Sequence, residues 1–278
     1  LGDDGMYHSY LPRMAYSAGL TGPEIGAPQF PDCDNWMGAL PLAEPFAAID
    51  ARDPRMMETL DDMEEMGTRE FLAQNIAGRK KKGLPTKDAW FWTPYSRLPK
   101  ASHVANAYLL QDDVPSFLRF WENAYASVVG ADGRLWEPWM PGNFDDCKAP
   151  DNGTAGWFME NFRDLLAMED GPDLWIAKAT PRAWLRQGDR ISVRHAPTYF
   201  GDLDYEIVSD VEHGRITARI ETPSRHAARK IILRLRHPAG KRIKSVSVNG
   251  ESWRRFDPAK ETITLSGLSG RVSVVARY

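Results

Sequence analysis

At 278 residues, with 42% hydrophobic and 26% charged side chains, the chain has the make-up of one large or two modest globular domains and not of a disordered segment. Its formal net charge of -3 does not suit a nucleic-acid partner. No apolar run approaches the ~20 residues that a membrane-crossing helix needs, so no membrane partner is expected either.

The chain opens LGDDGMYHSY, without an initiator Met or a signal-peptide pattern. Either processing or a start inside a longer protein is expected, and the N-terminus does not report localisation. Residues 6–20 read as a helix in which Pro12 either forms a kink or delays the start. Residues 21–45 are rich in Pro and Gly and read as a long structured loop. Met56, Leu60 and Met63 recur at helical spacing, Gly67 stops that helix, and Thr68 caps a short one through Ile76. The basic run Arg79–Lys82 reads as a solvated turn. After an aromatic loop over 88–98, residues 103–110 and 114–129 form an antiparallel helical hairpin. Asp113 caps its second helix, and Pro115 sits in the first turn, where a missing N–H costs nothing. A loop over 130–152 leads to a helix over 153–168, with Trp157, Phe158, Phe162, Leu165 and Leu166 on its buried face.

The pattern changes near residue 186. Residues 175–179 already read as a strand and 181–185 as a helical turn. Seven short alternating stretches follow, from RISVRH to RVSVVARY, separated by Gly, Pro, Asp or Asn. This spacing predicts an antiparallel β-sandwich, with a hairpin turn at Val248-Asn249-Gly250. Ile231, Leu233 and Leu235 alternate with Ile232, Arg234 and Arg236, so Arg234, Arg236 and His237 are expected on a solvent face.

Two features of the composition bear on chemistry. Ten Trp is a high count, and an indole on a loop is costly exposed surface unless a ligand covers it. The flat C–H faces of sugar rings would do so, while packing in an aromatic core explains the same residues. Cys33 and Cys147 are too few for a disulfide framework; pairing and burial as free thiols both stand. Zinc would need more ligands near them, so no metal and no cofactor is expected.

The stretches LLQDDVPSFLRFWENAYASV and LWIAKATPRAWLRQGDRISV resemble bacterial six-hairpin glycosidases, enzymes built on an (α/α)6 toroid with a C-terminal β-sandwich. PGNFDDCKAPDNGTAGWFMENFRDLL resembles a late motif of fucosidase-like members. Asn143-Phe144 and Gly153-Thr154-Ala155-Gly156 match its two ends, and an Asp-rich insertion separates them. The resemblance implies an α+β multidomain chain: a partial toroid of helical hairpins over 1–186, then a sandwich over 187–278. It also implies a carbohydrate substrate, a periplasmic or secreted location, and an N-terminal half of the barrel that is missing or lies on another chain.

Glycoside hydrolysis uses two carboxyl groups flanking the scissile bond. In a toroid these would come from loops at one rim. Glu137, between Trp136 and Trp139, is the first candidate, because an apolar aromatic setting raises a carboxyl pKa as a general acid requires. Asp145, Asp146 and Asp151 form the second set, as base or as hydroxyl-positioning groups, although Asp151 also suits the role of helix cap. Trp90, Trp92 and Tyr95, with Asp88 beside them, read as a stacking platform; Trp36, Trp136, Trp139 and Asn143 complete the expected substrate contacts. Two rival readings remain: a non-catalytic carbohydrate-binding or scaffold fragment, and a polysaccharide lyase using Tyr7, His8 or Tyr10.

Overall fold

The computed structural model describes residues 50–54, 80–81, 102–129, 133–135 and 152–278. The chain divides into two compact units, Leu1–Asn161 and Phe162–Tyr278.

In the first unit, α1 (Ser102–Leu110) and α2 (Val114–Val128) form the helical hairpin that the spacing predicts. Asp112 takes a positive φ of 66°, which reverses the chain in two residues. Asp113 then caps α2 by accepting the Ser116 N–H at 3.1 Å. The Gln111 side chain donates to the Ala51 carbonyl at 2.7 Å and so ties this turn to an upstream segment. Val114, Phe117 and Phe120 of α2 are buried, as are Ala105, Tyr108 and Leu109 of α1. The third helix, α3 (Asn152–Leu166), begins beside the position expected for its cap.

The second unit is a β-sandwich of eleven strands. One sheet contains β1 (Ala167–Asp170), β2 (Asp173–Ile176), β6 (Lys230–Arg234), β10 (Thr262–Leu265) and β9 (Phe256–Asp257), in the order β1-β2-β6-β10-β9. The other contains β3 (Arg190–Thr198), β4 (Gly201–Asp210), β5 (Arg215–Glu221), β11 (Arg271–Arg277), β7 (Ser245–Val248) and β8 (Glu251–Trp253), in the order β3-β4-β5-β11-β7-β8. All pairings are antiparallel except β2 with β6. The inward residues of both sheets form one core, with Leu174, Ile176 and Leu233 on one side and Leu203, Ile207, Ile216 and Val274 on the other. Every second residue along β4 and β5 is buried, as a sheet with one covered face requires.

Several expectations are corrected. The described residues do not form an arc of helical hairpins. They are mostly β-sheet with three named α-helices, so the partial-toroid fold class is overturned. Helical periodicity is a local signal: it specified one hairpin correctly but could not say that successive hairpins would curve together. The third helix was expected to reach Met168, but it ends at Leu166, and Ala167–Asp170 pairs with β2 as a hairpin around Gly171. The strand expected over 175–179 stops at Ile176, where Ala177 takes a φ of 53°. The short edge strands β8 and β9 were not anticipated. The turn at Asn249 and Gly250 forms as expected, both at positive φ. The expected helices over 6–20, 56–66 and 68–76 lie outside the described residues.

Candidate functional site

Every residue singled out from the sequence for catalysis or substrate contact lies outside the described residues. That holds for Glu137, Asp145, Asp146 and Asp151, and for Trp36, Asp88, Trp90, Trp92, Tyr95, Trp136, Trp139 and Asn143. Cys33, Cys147 and the Tyr7-His8-Tyr10 group do too. Among the described residues, no group of His, Cys, Asp and Glu is arranged to hold a metal ion, and no helix is long and apolar enough to cross a membrane. Several polar constellations stand among the described residues, and sequence reasoning singled out none of them.

The first is in the helical unit. Asn106, buried on α1, donates to the Glu160 carboxylate at 3.2 Å and accepts from the Asn161 amide at 3.1 Å. Close by in sequence, Trp121, Tyr125 and Phe158 stack, with centroid separations of 4.8 to 6.2 Å. The buried amide fixes the direction in which Glu160 is held, since a buried amide left unpaired costs free energy.

The second starts at Arg234, the last residue of β6 in the five-stranded sheet, and runs into the segment that follows it. Arg234, Arg236 and His237 are buried there, each at most 8% exposed, which corrects the expected solvent face. Alternation told which residues turn from the core, but not that the second face would be covered as well. The Arg182 guanidinium grips Glu261 through two hydrogen bonds of 2.6 and 2.8 Å and also donates to the His237 carbonyl at 2.9 Å. Arg236 donates to the Thr180 carbonyl at 3.1 Å and lies 3.9 Å from Glu261. Burial, reinforced by the neighbouring Arg182 charge, lowers the Arg236 guanidinium to about 10. Lys178 and Arg234 both lie over the Trp175 ring, at 4.2 and 5.1 Å from its centroid. The His237 Nδ1 accepts the Ala239 N–H at 3.0 Å, which makes Nε2 the protonated nitrogen of the neutral ring. Burial pushes this imidazole below its usual pKa, and the nearby Lys241 charge adds to the shift. The arrangement is a bracing network: its carboxylate and guanidinium groups face each other and backbone carbonyls.

The third is on the outward face of the six-stranded sheet, which holds a groove of ≈ 520 Å³. The register builds it as two cross-strand rows. Ser192, Glu206, Arg219 and Ser273 stand opposite one another in succession across β3, β4, β5 and β11. Asp204, Glu221 and Arg271 form the second row. The β3 end of this row is irregular: Arg194 and His195 together oppose Asp204, a β-bulge. His195 takes a φ of 51°, and its backbone N–H donates to the Asp204 carboxylate at 3.2 Å. Glu206 accepts from Arg190 at 2.9 Å, and Arg271 donates to Glu221 at 3.1 Å. Arg219 lies 3.8 Å from Glu206, outside hydrogen-bonding distance. Asp204 and Glu221 face each other directly, an unfavourable like-charge pair in a sheet. Period-two alternation could have flagged the individual residues. Their meeting depends on a strand order that the sequence does not display.

No family model and no curated protein matches the chain. Among solved structures, one described as a glycoside hydrolase is similar over 64% of this chain, with 10% sequence identity and a TM-score of 0.29. The chain spans about a third of that structure's length, 32%.

Proposed function

We propose that the chain is part of a carbohydrate-active protein that cleaves glycosidic bonds by carboxylate acid/base chemistry. One observation carries this reading. The two stretches that resemble glycosidases both lie among the described residues: 109–128 holds the helical turn and α2, and 174–193 runs from β2 into β3 of the sandwich. In this reading, Glu137 is the general acid that protonates the leaving oxygen. Asp145, Asp146 or Asp151 activates water or attacks the anomeric carbon. The indoles of Trp90, Trp92, Trp136 and Trp139 hold sugar rings, and no cofactor takes part.

The test is digestion of a panel of defined oligosaccharides by the chain, followed by chromatography of the products. Release of shorter sugars supports the reading. Glu137→Gln is expected to lower kcat by about a hundredfold or more, the usual contribution of a positioned acid. An unchanged rate removes Glu137 from the role. Failure of every glycan to be cut, by this chain and by a longer chain that contains it, overturns the hydrolase reading.

A further inference from the structure

The groove on the six-stranded sheet has a composition that the bracing network on the other sheet lacks. Its guanidinium groups are incompletely matched by its carboxylates. Glu206 is engaged by Arg190, Glu221 by Arg271, and Asp204 by the His195 backbone N–H. The Arg194 side chain lines the groove and makes no hydrogen bond or ion pair among the described residues, and Arg219 is held only at 3.8 Å. The bulge sets Arg194 off from the regular register, and bulges commonly re-aim a side chain at a functional position. No Phe or Trp lines the groove, so stacking on indoles is not how it would grip a ligand.

The lining narrows the ligand. A simple anion would meet Asp204, Glu206 and Glu221 at close range and be repelled. A neutral ligand would leave Arg194 unmatched. The groove suits a molecule that carries both one carboxylate and several hydroxyl groups. Hydroxyls donate to the carboxylates that strand pairing sets opposite each other, and a ligand carboxylate takes the planar fork of Arg194, with Arg219 beside it. The volume falls within the range of small-ligand sites, ~300–1,000 Å³.

We infer that the outward groove between Arg194, Asp204, Glu221 and Arg219 is a binding site for a uronic-acid-containing saccharide. The requirement for a carboxylate rests on the groove alone. The choice of a sugar to carry it rests on the carbohydrate reading above. The site anchors an acidic polymer to the sandwich.

The experiment is titration calorimetry on the full chain with oligomers of galacturonic, glucuronic and mannuronic acid, and with their methyl esters, which keep the hydroxyls but remove the charge. At least one acidic oligomer is expected to bind, with its ester weaker by about tenfold or more, and Arg194→Ala is expected to cause a similar loss. Arg277→Ala, on the same sheet face but outside the groove, is expected to leave affinity unchanged, which shows that general positive charge is not the cause. Binding of none of the acids, equal binding of acid and ester, or indifference to Arg194→Ala overturns the inference. So does equal competition by inorganic phosphate or by an acidic peptide. Cleavage of neutral glycans without uronate binding sinks this inference and leaves the hydrolase reading standing. Uronate binding without cleavage, by this chain or by a longer chain that contains it, does the reverse.

Discussion

The two sheets of the sandwich follow the same sequence rule and meet different fates. Both alternate apolar with polar residues, and both turn the apolar set toward the shared core. On the six-stranded sheet the polar set is largely in water: the Arg219 and Arg271 side chains are 81% and 93% exposed. On the five-stranded sheet it is buried, down to the Arg234 guanidinium, and Arg236 just beyond β6 is buried as well. Alternation identifies the inner face of a sheet but carries no information about what lies beyond the outer one. Charge on an outer face is cheap when solvated. When covered, it demands partners, and here Arg182, Glu261 and the carbonyls of His237 and Thr180 are among those partners.

This contrast is open to direct attack. The largest effect is expected from Glu261→Gln, which leaves Arg182 and Arg236 without their carboxylate. About 2–4 kcal/mol of unfolding stability should be lost in a urea titration, at or below the range for broken buried pairs because Arg182 is partly exposed. A loss below ~1 kcal/mol would mean that the covered face behaves like a solvated one.

A smaller, pH-dependent effect is expected at Glu169, on the edge strand β1. Burial pushes its carboxyl up, but the paired Arg163 guanidinium, with hydrogen bonds of 2.5 and 2.8 Å, and the Tyr199 N–H outweigh it. The group is held below its ordinary value of 4.5. The folded pKa is depressed, so the stabilisation is fully present above pH 4.5 and is lost as pH falls through the folded value. Stability measured from pH 6 to pH 2 should therefore fall less steeply in Glu169→Gln than in the parent. Parallel curves would remove Glu169 from the acid sensitivity of the fold.

The smallest effect is expected from Glu206→Gln on the exposed face. It should cost at most about 1 kcal/mol, and 1 M salt should abolish most of the difference. A cost equal to that of Glu261→Gln would erase the distinction between the faces.

Much of the local structure was legible from residue order. The Asp113-x-Pro115 start, the Asn249-Gly250 turn and the alternation in β4, β5 and β11 each carry their own stereochemical signature, and each forms as expected. Non-local structure was not legible. Nothing in RVSVVARY says that it inserts between β5 and β7, and nothing in KIILRLRHP says that its Arg side chains are covered. The arc of hairpins failed for the same reason, since it required contacts among helices that no single helix specifies. The groove escaped notice because Asp204 and Glu221 are seventeen positions apart in sequence yet directly opposite in the sheet.

The position of β11 has a consequence for how the chain acquires its structure. This strand hydrogen-bonds to β5 on one side and β7 on the other, so the β7–β8 hairpin joins its sheet only through it. During synthesis the ribosome delivers both flanks before the piece that joins them. Until residues 271–277 emerge, β5 and the hairpin each present an unpaired edge, the kind of surface on which nascent chains aggregate. Folding of this sheet therefore finishes with a late insertion at its centre rather than by growth from one end.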